Sequence, residues 1–184
     1  DPFFEAVEEN PYLADFYKDM SRWSFHSQAF FLSRRLQQHY ELLQRADSVL
    51  QDRSVYEDAE VFARNLYRQG NMSQRDWQTY YDLYTILSQL LTPPHLVVYL
   101  KDSVPTLIRR IEQRGREYER TISADYLTAL NELYDDWVAR FALCPVLTVE
   151  TDNLDYVQHD AHLDQIVGRI NDRLHGKDYL ALQS

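Results

Sequence analysis

The 184-residue chain has the length of one ordinary domain, and its 45% apolar content excludes wholesale disorder. A formal charge of −10 argues against general nucleic-acid binding, and no apolar run approaches the ~18 residues that mark a membrane span. The single cysteine, Cys144, excludes a disulfide framework and a cysteine-rich zinc site and suits a reducing cytoplasm. No signal-peptide pattern opens the sequence, and a start at Asp1 rather than methionine reads as a processed or incomplete chain.

No repeat or linker interrupts residues 1–184, which predicts a single domain. Asn10-Pro11 marks a helix entrance, because proline at the first helical position loses no needed hydrogen bond. Phe16, Met20, Trp23, Phe30, Phe31, Leu36, Tyr40 and Leu43 then recur at helical spacing and predict one helix to about Arg45. A short strand is expected over Ser48–Gln51, followed by Asp52-Arg53-Ser54. Ser73-x-x-Asp76 resembles a capping box and opens a helix with Trp77, Tyr80, Tyr81, Tyr84, Leu87 and Leu91 on its stripe, stopped by Pro93-Pro94. His95–Leu100 reads as a buried strand, rich in branched residues. Helices are expected from Ser103-Val104-Pro105 and from Ser123, a third strand over Pro145–Val149, and a last helix carrying Leu163, Ile166, Ile170 and Leu174. Strands alternating with helices predict an α/β fold, a parallel sheet flanked by helices. Three strands are few for so many helices, so at least one sheet neighbour is expected to be missing.

Several side chains are candidates for chemistry. Arg109, Arg110, Arg114, Arg116 and Arg120 cluster in an acidic chain, with Glu112, Glu117 and Glu119 among them. Arginine forks bind phosphate in pairs of hydrogen bonds, and Gly115 suggests a bend that closes over a polyanion. The alternative is a solvated helix end whose arginines favour the helix dipole. Tyr17, Gln28 and Arg35 stand at spacings that place them on one helical face, and a glutamine amide suits the edge of a planar heterocycle. A glutamine satisfied by backbone or water is the competing reading. Asp52-Arg53-Ser54 ends a strand, where open α/β sheets bind ligands, although loop solvation explains it equally. Glu5, with Glu8 and Glu9, suits either a general base or a helix N-terminus. His159 and His162 lack further ligands and read as a solvated face; Cys144 reads as core. No two glycines have the spacing of the phosphate loop G-x-x-x-x-G-K-[ST].

In order, these segments resemble the deoxyribonucleoside kinase family, its bacterial deoxyadenosine and deoxyguanosine kinases in particular. The matching stretches are Glu5-Ala-Val-Glu-Glu-Asn-Pro-Tyr-Leu13, Phe16-Tyr17-Lys-Asp-Met20, Arg22-Trp-Ser-Phe-His-Ser-Gln28, Asp52-Arg-Ser-Val-Tyr-Glu-Asp58 with Phe62, Arg110-Ile-Glu-Gln-Arg-Gly-Arg116 and Pro145-Val-Leu-Thr-Val149. The resemblance implies a P-loop-kinase-like fold and transfer of the ATP γ-phosphate, with Mg2+, to the 5′-hydroxyl of a purine deoxynucleoside in nucleotide salvage. Deoxyadenosine is favoured; deoxyguanosine or deoxycytidine are the other acceptors. It implies Glu5 as general base, Arg53 near the reacting oxygen, and Tyr17 with Glu119 on the sugar 3′-hydroxyl. Gln28 would read the base edge, Phe62 stack on the base and Leu13 line the pocket. Arg35 and Asp58 would form a pair that disfavours thymidine, and Phe31 would narrow the pocket. Arg110, Arg114 and Arg116 would close on the donor phosphates, and the aromatic helices would pair in a homodimer. Neither nucleic acid nor a membrane is an expected partner.

The family's phosphate loop belongs ahead of Glu5, on a strand expected between Ser48–Gln51 and His95–Leu100. Its absence predicts that residues 1–184 alone are inactive as a kinase. A non-catalytic kinase-like binding or scaffold subunit is the alternative.

Overall fold

The computed structural model describes residues 2–3, 9–116 and 122–174. Two compact units partition the chain, Asp1–Leu91 with Ala129–Trp137, and Thr92–Thr128 with Val138–Ser184. Both carry parallel strands and helices, the α/β class that the alternation predicts.

In the first unit, strand β1 (Pro2–Phe3), which has no counterpart in the sequence expectations, pairs in parallel with β2 (Leu50–Gln51). Asn10 Oδ1 accepts the Tyr12 N–H at 3.0 Å, so Pro11 lies in a turn ahead of α1 (Leu13–Lys18) rather than at its first position. The helix expected to run unbroken to Arg45 instead breaks at Asp19, where φ is −147°. The Asp19 carboxylate accepts from the Arg22 N–H at 3.0 Å and the Ser21 hydroxyl at 2.9 Å, capping α2 (Met20–Leu43). These bonds also hold its carboxyl below the usual carboxylate range, the Arg22 backbone bond foremost.

The buried face of α2 is polar except for Leu32: Ser24, Ser27, Gln28 and Arg35 are the others. The aromatic stripe of this segment is mostly half-buried, and Tyr40 and Leu43 are exposed. The serines close their own hydrogen bonds, Ser24 to the Met20 carbonyl at 2.6 Å and Ser27 by accepting from Asn10 Nδ2 at 3.0 Å. Their small side chains then leave room for the segment packed against this face.

That segment, residues 55–68, is helical throughout, which the sequence reading did not anticipate. It runs through α3 (Val55–Glu57), a π-helical stretch (Asp58–Ala63) and α4 (Arg64–Arg68). Val55, Tyr56, Ala59, Val61, Ala63 and Leu66 are all buried, so packing rather than periodicity keeps it helical. Helix α5 (Gln74–Ser88) starts as the capping pattern predicts, with Ser73 Oγ accepting the Asp76 N–H at 3.2 Å. The Asp76 carboxylate takes the Ser73 hydroxyl rather than its backbone N–H.

In the second unit, β3 (Val97–Lys101) and β4 (Val146–Glu150) pair in parallel, from Val97 opposite Val146 to Lys101 opposite Glu150. Parallel neighbours need a long crossover. Here α6 (Val104–Arg114) and α7 (Ala124–Arg140) lie between them in sequence, and α8 (Asp160–Leu174) follows β4. Cys144 is half-buried, not core as expected, and burial raises its thiol pKa. No helix among the described residues is long and apolar enough to cross a membrane.

Arg35 and Asp58, with side chains 2% and 4% exposed, form the most deeply buried ion pair of the first unit, Nε to Oδ2 at 3.0 Å. Removing one member of such a pair strands a charge in the core. Asp58→Ala should therefore lower unfolding stability by about 3 kcal/mol in a denaturant melt. A change under about 0.5 kcal/mol, the size of an ordinary surface substitution, would show that the pair is dispensable.

Candidate active site

Arg35 does more than neutralise Asp58. Its Nη1 donates to the Asp52 carbonyl at 2.8 Å and to Gln38 Oε1 at 3.3 Å. The first of these bonds holds the backbone just ahead of Arg53, which has a φ of +62°, a left-handed conformation rare for a side chain of its size. Strain of this kind persists only where its surroundings enforce it, and it gathers at functional sites. Beyond it, Ser54 caps α3 by accepting the Tyr56 N–H at 3.2 Å and donates its hydroxyl to Glu57. Arg35 on one side and Ser54 on the other thus fix the turn at Asp52-Arg53-Ser54.

The turn and the π-helical stretch bring Arg53 and Phe62 together, with the guanidinium carbon 4.4 Å from the ring centroid. Phe62 also meets Tyr134 edge to face at 6.0 Å. π-helical stretches recur at functional sites, and this one carries both Asp58 and Phe62.

Gln28 lies seven residues before Arg35 on the same helix, two turns away on one face. It is 6% exposed, and its Oε1 has no hydrogen-bond partner among the described residues. A buried acceptor without a donor costs about 1–3 kcal/mol. Tyr17 does not share the Gln28 helix, since the break at Asp19 separates them. It shares a face of α1 with Leu13 instead, four residues apart and both half-buried, and α1 packs on α2. Phe31 is half-buried on α2. Glu5 and Glu119 lie outside the described residues.

The second unit holds the arginine cluster. Ser103-Val104-Pro105 starts α6 as expected, and Gly115, with φ +71°, ends it. The bend foreseen at Gly115 is thus a left-handed helix cap, its N–H bonded to the Ile111 carbonyl at 3.1 Å. Arg114 in the last turn and Arg116 just past the cap are exposed. Arg110 departs from the grouping of three. Its guanidinium donates to Asp102 Oδ2 at 2.6 Å, to the carbonyls of Thr151 and Leu154 at 2.8 Å each, and to the Tyr156 hydroxyl at 3.1 Å. Its planar fork matches two carbonyls and a carboxylate at once, which draws it inward from the exposed end of the helix. Thr151, Asp102 and Tyr156 were not foreseen; the only available signal was that Asp102 and Thr151 each directly follow a strand.

His159 and His162 form a local turn, with the Asp155 N–H bonded to His162 Nδ1 at 2.9 Å. No group of three or more His, Cys, Asp or Glu suited to a metal ion occurs among the described residues.

A parallel α/β fold that carries an arginine-rich helix just after a strand is of the class that handles anionic and phosphorylated ligands. The deoxynucleoside kinase family profile matches residues 2–175. The chain is 35% identical to a deoxyadenosine/deoxycytidine kinase of Bacillus subtilis over 175 residues, 93% of this chain and 80% of that one. It is 37% identical to a deoxyadenosine kinase of Dictyostelium discoideum over 136 residues, 74% of this chain and 55% of that protein. A solved deoxyadenosine kinase from M. mycoides with bound dCTP superposes with a TM-score of 0.77 at 31% identity, covering 94% of this chain and 86% of the other. The chain belongs to the deoxynucleoside kinase family, a family of ATP-dependent phosphotransferases.

Proposed function

We propose that the protein transfers the γ-phosphate of ATP to the 5′-hydroxyl of a deoxynucleoside, with deoxyadenosine preferred and deoxycytidine or deoxyguanosine as further acceptors. The observation that carries the preference is the buried, unpartnered Oε1 of Gln28. A glutamine amide pairs with adenine by accepting from N6 and donating to N7, and cytosine also offers an exocyclic amine; thymine presents O4, an acceptor, in its place. The names of the relatives, kinases of deoxyadenosine and deoxycytidine among them, support the same reading.

In this reading Gln28 reads the base edge, while the Arg35–Asp58 pair sets the polarity of the same helix face. Phe62 stacks on the base, Leu13 lines its pocket, and Tyr17 and Glu119 hold the 3′-hydroxyl. Glu5 takes the 5′-hydroxyl proton as the oxygen attacks, and Arg53, held by its turn and by Phe62, stabilises charge beside that oxygen. Arg114 and Arg116 reach the donor phosphates, and Arg110 anchors their helix. ATP would supply the transferred phosphoryl group and leave as ADP, and a Mg2+ bound with it would supply positive charge to the phosphates. Exposed arginine forks suit the polyphosphate. The described residues offer the ion no carboxylate cluster. Residues 1–184 belong to one kinase-like domain of a cytoplasmic salvage enzyme.

A second copy of the chain is the partner we propose for α2 and α5. Tyr40 and Leu43 near the end of α2, and Leu83, Ile86 and Leu90 on or just after α5, are 46–76% exposed, and the two helices pack together. Exposed apolar side chains gathered in this way mark interaction surfaces. Ile86→Glu should convert a dimer into a monomer in light scattering, and an unchanged mass would remove this face from the interface.

Gln28→Ala should level the rates among the four deoxynucleosides while the thermal melt stays near wild type. Lost folding with selectivity intact would count against base reading. Glu5→Gln in the full-length protein should lower kcat about 100-fold or more, with deoxynucleoside KM changed only a few-fold. Unaffected turnover would take Glu5 out of the mechanism, and a wild-type protein inert with all four deoxynucleosides would favour a non-catalytic binding subunit.

A further inference from the structure

Helices α1 and α2 both carry residues assigned above to the deoxynucleoside, Leu13 and Tyr17 on the first and Gln28 on the second. They join at Asp19, whose N–H donates to the Asp15 carbonyl at 2.9 Å to close α1 and whose carboxylate caps α2. A one-residue joint sets where α1 ends but not the angle at which it lies on α2, because the backbone torsions there can turn. The other end of α1 is held by Asn10, a buried side chain that the chemistry proposed above does not use.

Asn10 is 6% exposed, and its partner Ser27 on α2 is 1% exposed. Asn10 Nδ2 donates to Ser27 Oγ at 3.0 Å, a buried bond between residues 17 apart in sequence. Asn10 Oδ1 accepts the Tyr12 N–H at 3.0 Å, and its carbonyl accepts the Leu13 N–H at 3.2 Å, so the same residue shapes the turn that opens α1. An asparagine amide can do this because it donates and accepts at once. Ser27 directly precedes Gln28, so the tie reaches α2 beside the proposed base reader. The Tyr12 ring adds an apolar attachment on the preceding turn of α2, stacked on Trp23 at 5.8 Å and 5.6 Å from the His26 ring. The Arg34–Glu9 pair at 3.1 Å lies close by in sequence, but it is exposed and contributes little.

A deoxynucleoside fixes the distance between its base edge and its 3′-hydroxyl. Gln28 and Tyr17 can engage both only if α1 and α2 keep one separation and angle, and small errors in such placement are costly. We propose that Asn10 is a positioning residue for the deoxynucleoside. Its bond to Ser27 holds α1 on α2 so that Tyr17 meets the 3′-hydroxyl while Gln28 reads the base, and Asn10 itself touches no substrate. The inference rests on the kinase reading and deepens it at the acceptor site.

The test compares kcat/KM of the full-length enzyme for deoxyadenosine and for 2′,3′-dideoxyadenosine, which keeps the 5′-hydroxyl but lacks the 3′-hydroxyl. Asn10→Ala should lower kcat/KM about tenfold for deoxyadenosine and no more than about twofold for the dideoxy compound, with the KM for ATP also within about twofold. Ser27→Ala removes only the acceptor and should show the same pattern at about threefold. It carries the comparison if Asn10→Ala does not fold. Because both changes break one bond, the double variant should lose little more than Asn10→Ala alone. A merely structural Asn10 would act on every substrate alike, so equal losses with both nucleosides would overturn the proposal. A raised ATP KM or additive losses in the double variant would overturn it too. Tyr17→Phe checks the underlying assignment and should narrow the gap between the two nucleosides about tenfold. An unchanged gap would take Tyr17 off the sugar and end this inference while leaving the kinase reading intact. Wild-type enzyme that phosphorylates no deoxynucleoside would overturn the kinase reading itself.

Discussion

The buried ion pair between Arg35 and Asp58 is the constraint on which the first unit turns. Two charges at 2% and 4% exposure are tolerated only because their remaining hydrogen-bonding capacity is met nearby. Arg35 meets part of its own by gripping the Asp52 carbonyl. One guanidinium therefore links the middle of α2, the π-helical stretch and the turn that holds Arg53 left-handed. Residues far apart in sequence become one rigid constellation, and the same constellation carries the proposed catalytic arginine and base-reading glutamine.

The second unit solves a similar problem with the same chemistry. Arg110 satisfies two carbonyls beyond β4 and the carboxylate that follows β3, and so ties strand ends to helix α6. In both units an arginine inside the fold spreads its planar fork over backbone carbonyls and one aspartate. Arg114 and Arg116, near the end of α6, are exposed.

Much was legible where the signal is local. The parallel α/β class, the starts of α5, α6 and α7, and strands β3 and β4 followed from short patterns of caps, prolines and branched residues. Errors arose where tertiary contacts override local preference. A continuous apolar stripe from Phe16 to Leu43 reads as one helix. Asp19 can cap a new helix with its own carboxylate, however, and the serines and Arg35 can lie inside once their partners are present. Residues 55–68 show no clear helical period because almost every side of them is buried. A two-residue strand such as β1 exists only by virtue of its partner β2.

The sequence by itself determined the fold class and the residue types available for chemistry: a glutamine, an aspartate-arginine-serine turn and an arginine-rich helix. These are visible because capping, periodicity and side-chain chemistry act over a few residues. Only the tertiary structure decided that Arg35 bonds Asp58 and the Asp52 carbonyl, that the buried Gln28 Oε1 meets no partner among the described residues, and that Arg110 bonds Asp102 and the carbonyls of Thr151 and Leu154. Those outcomes depend on which polar groups meet after the chain has buried them, and burial brings together residues that no local pattern connects.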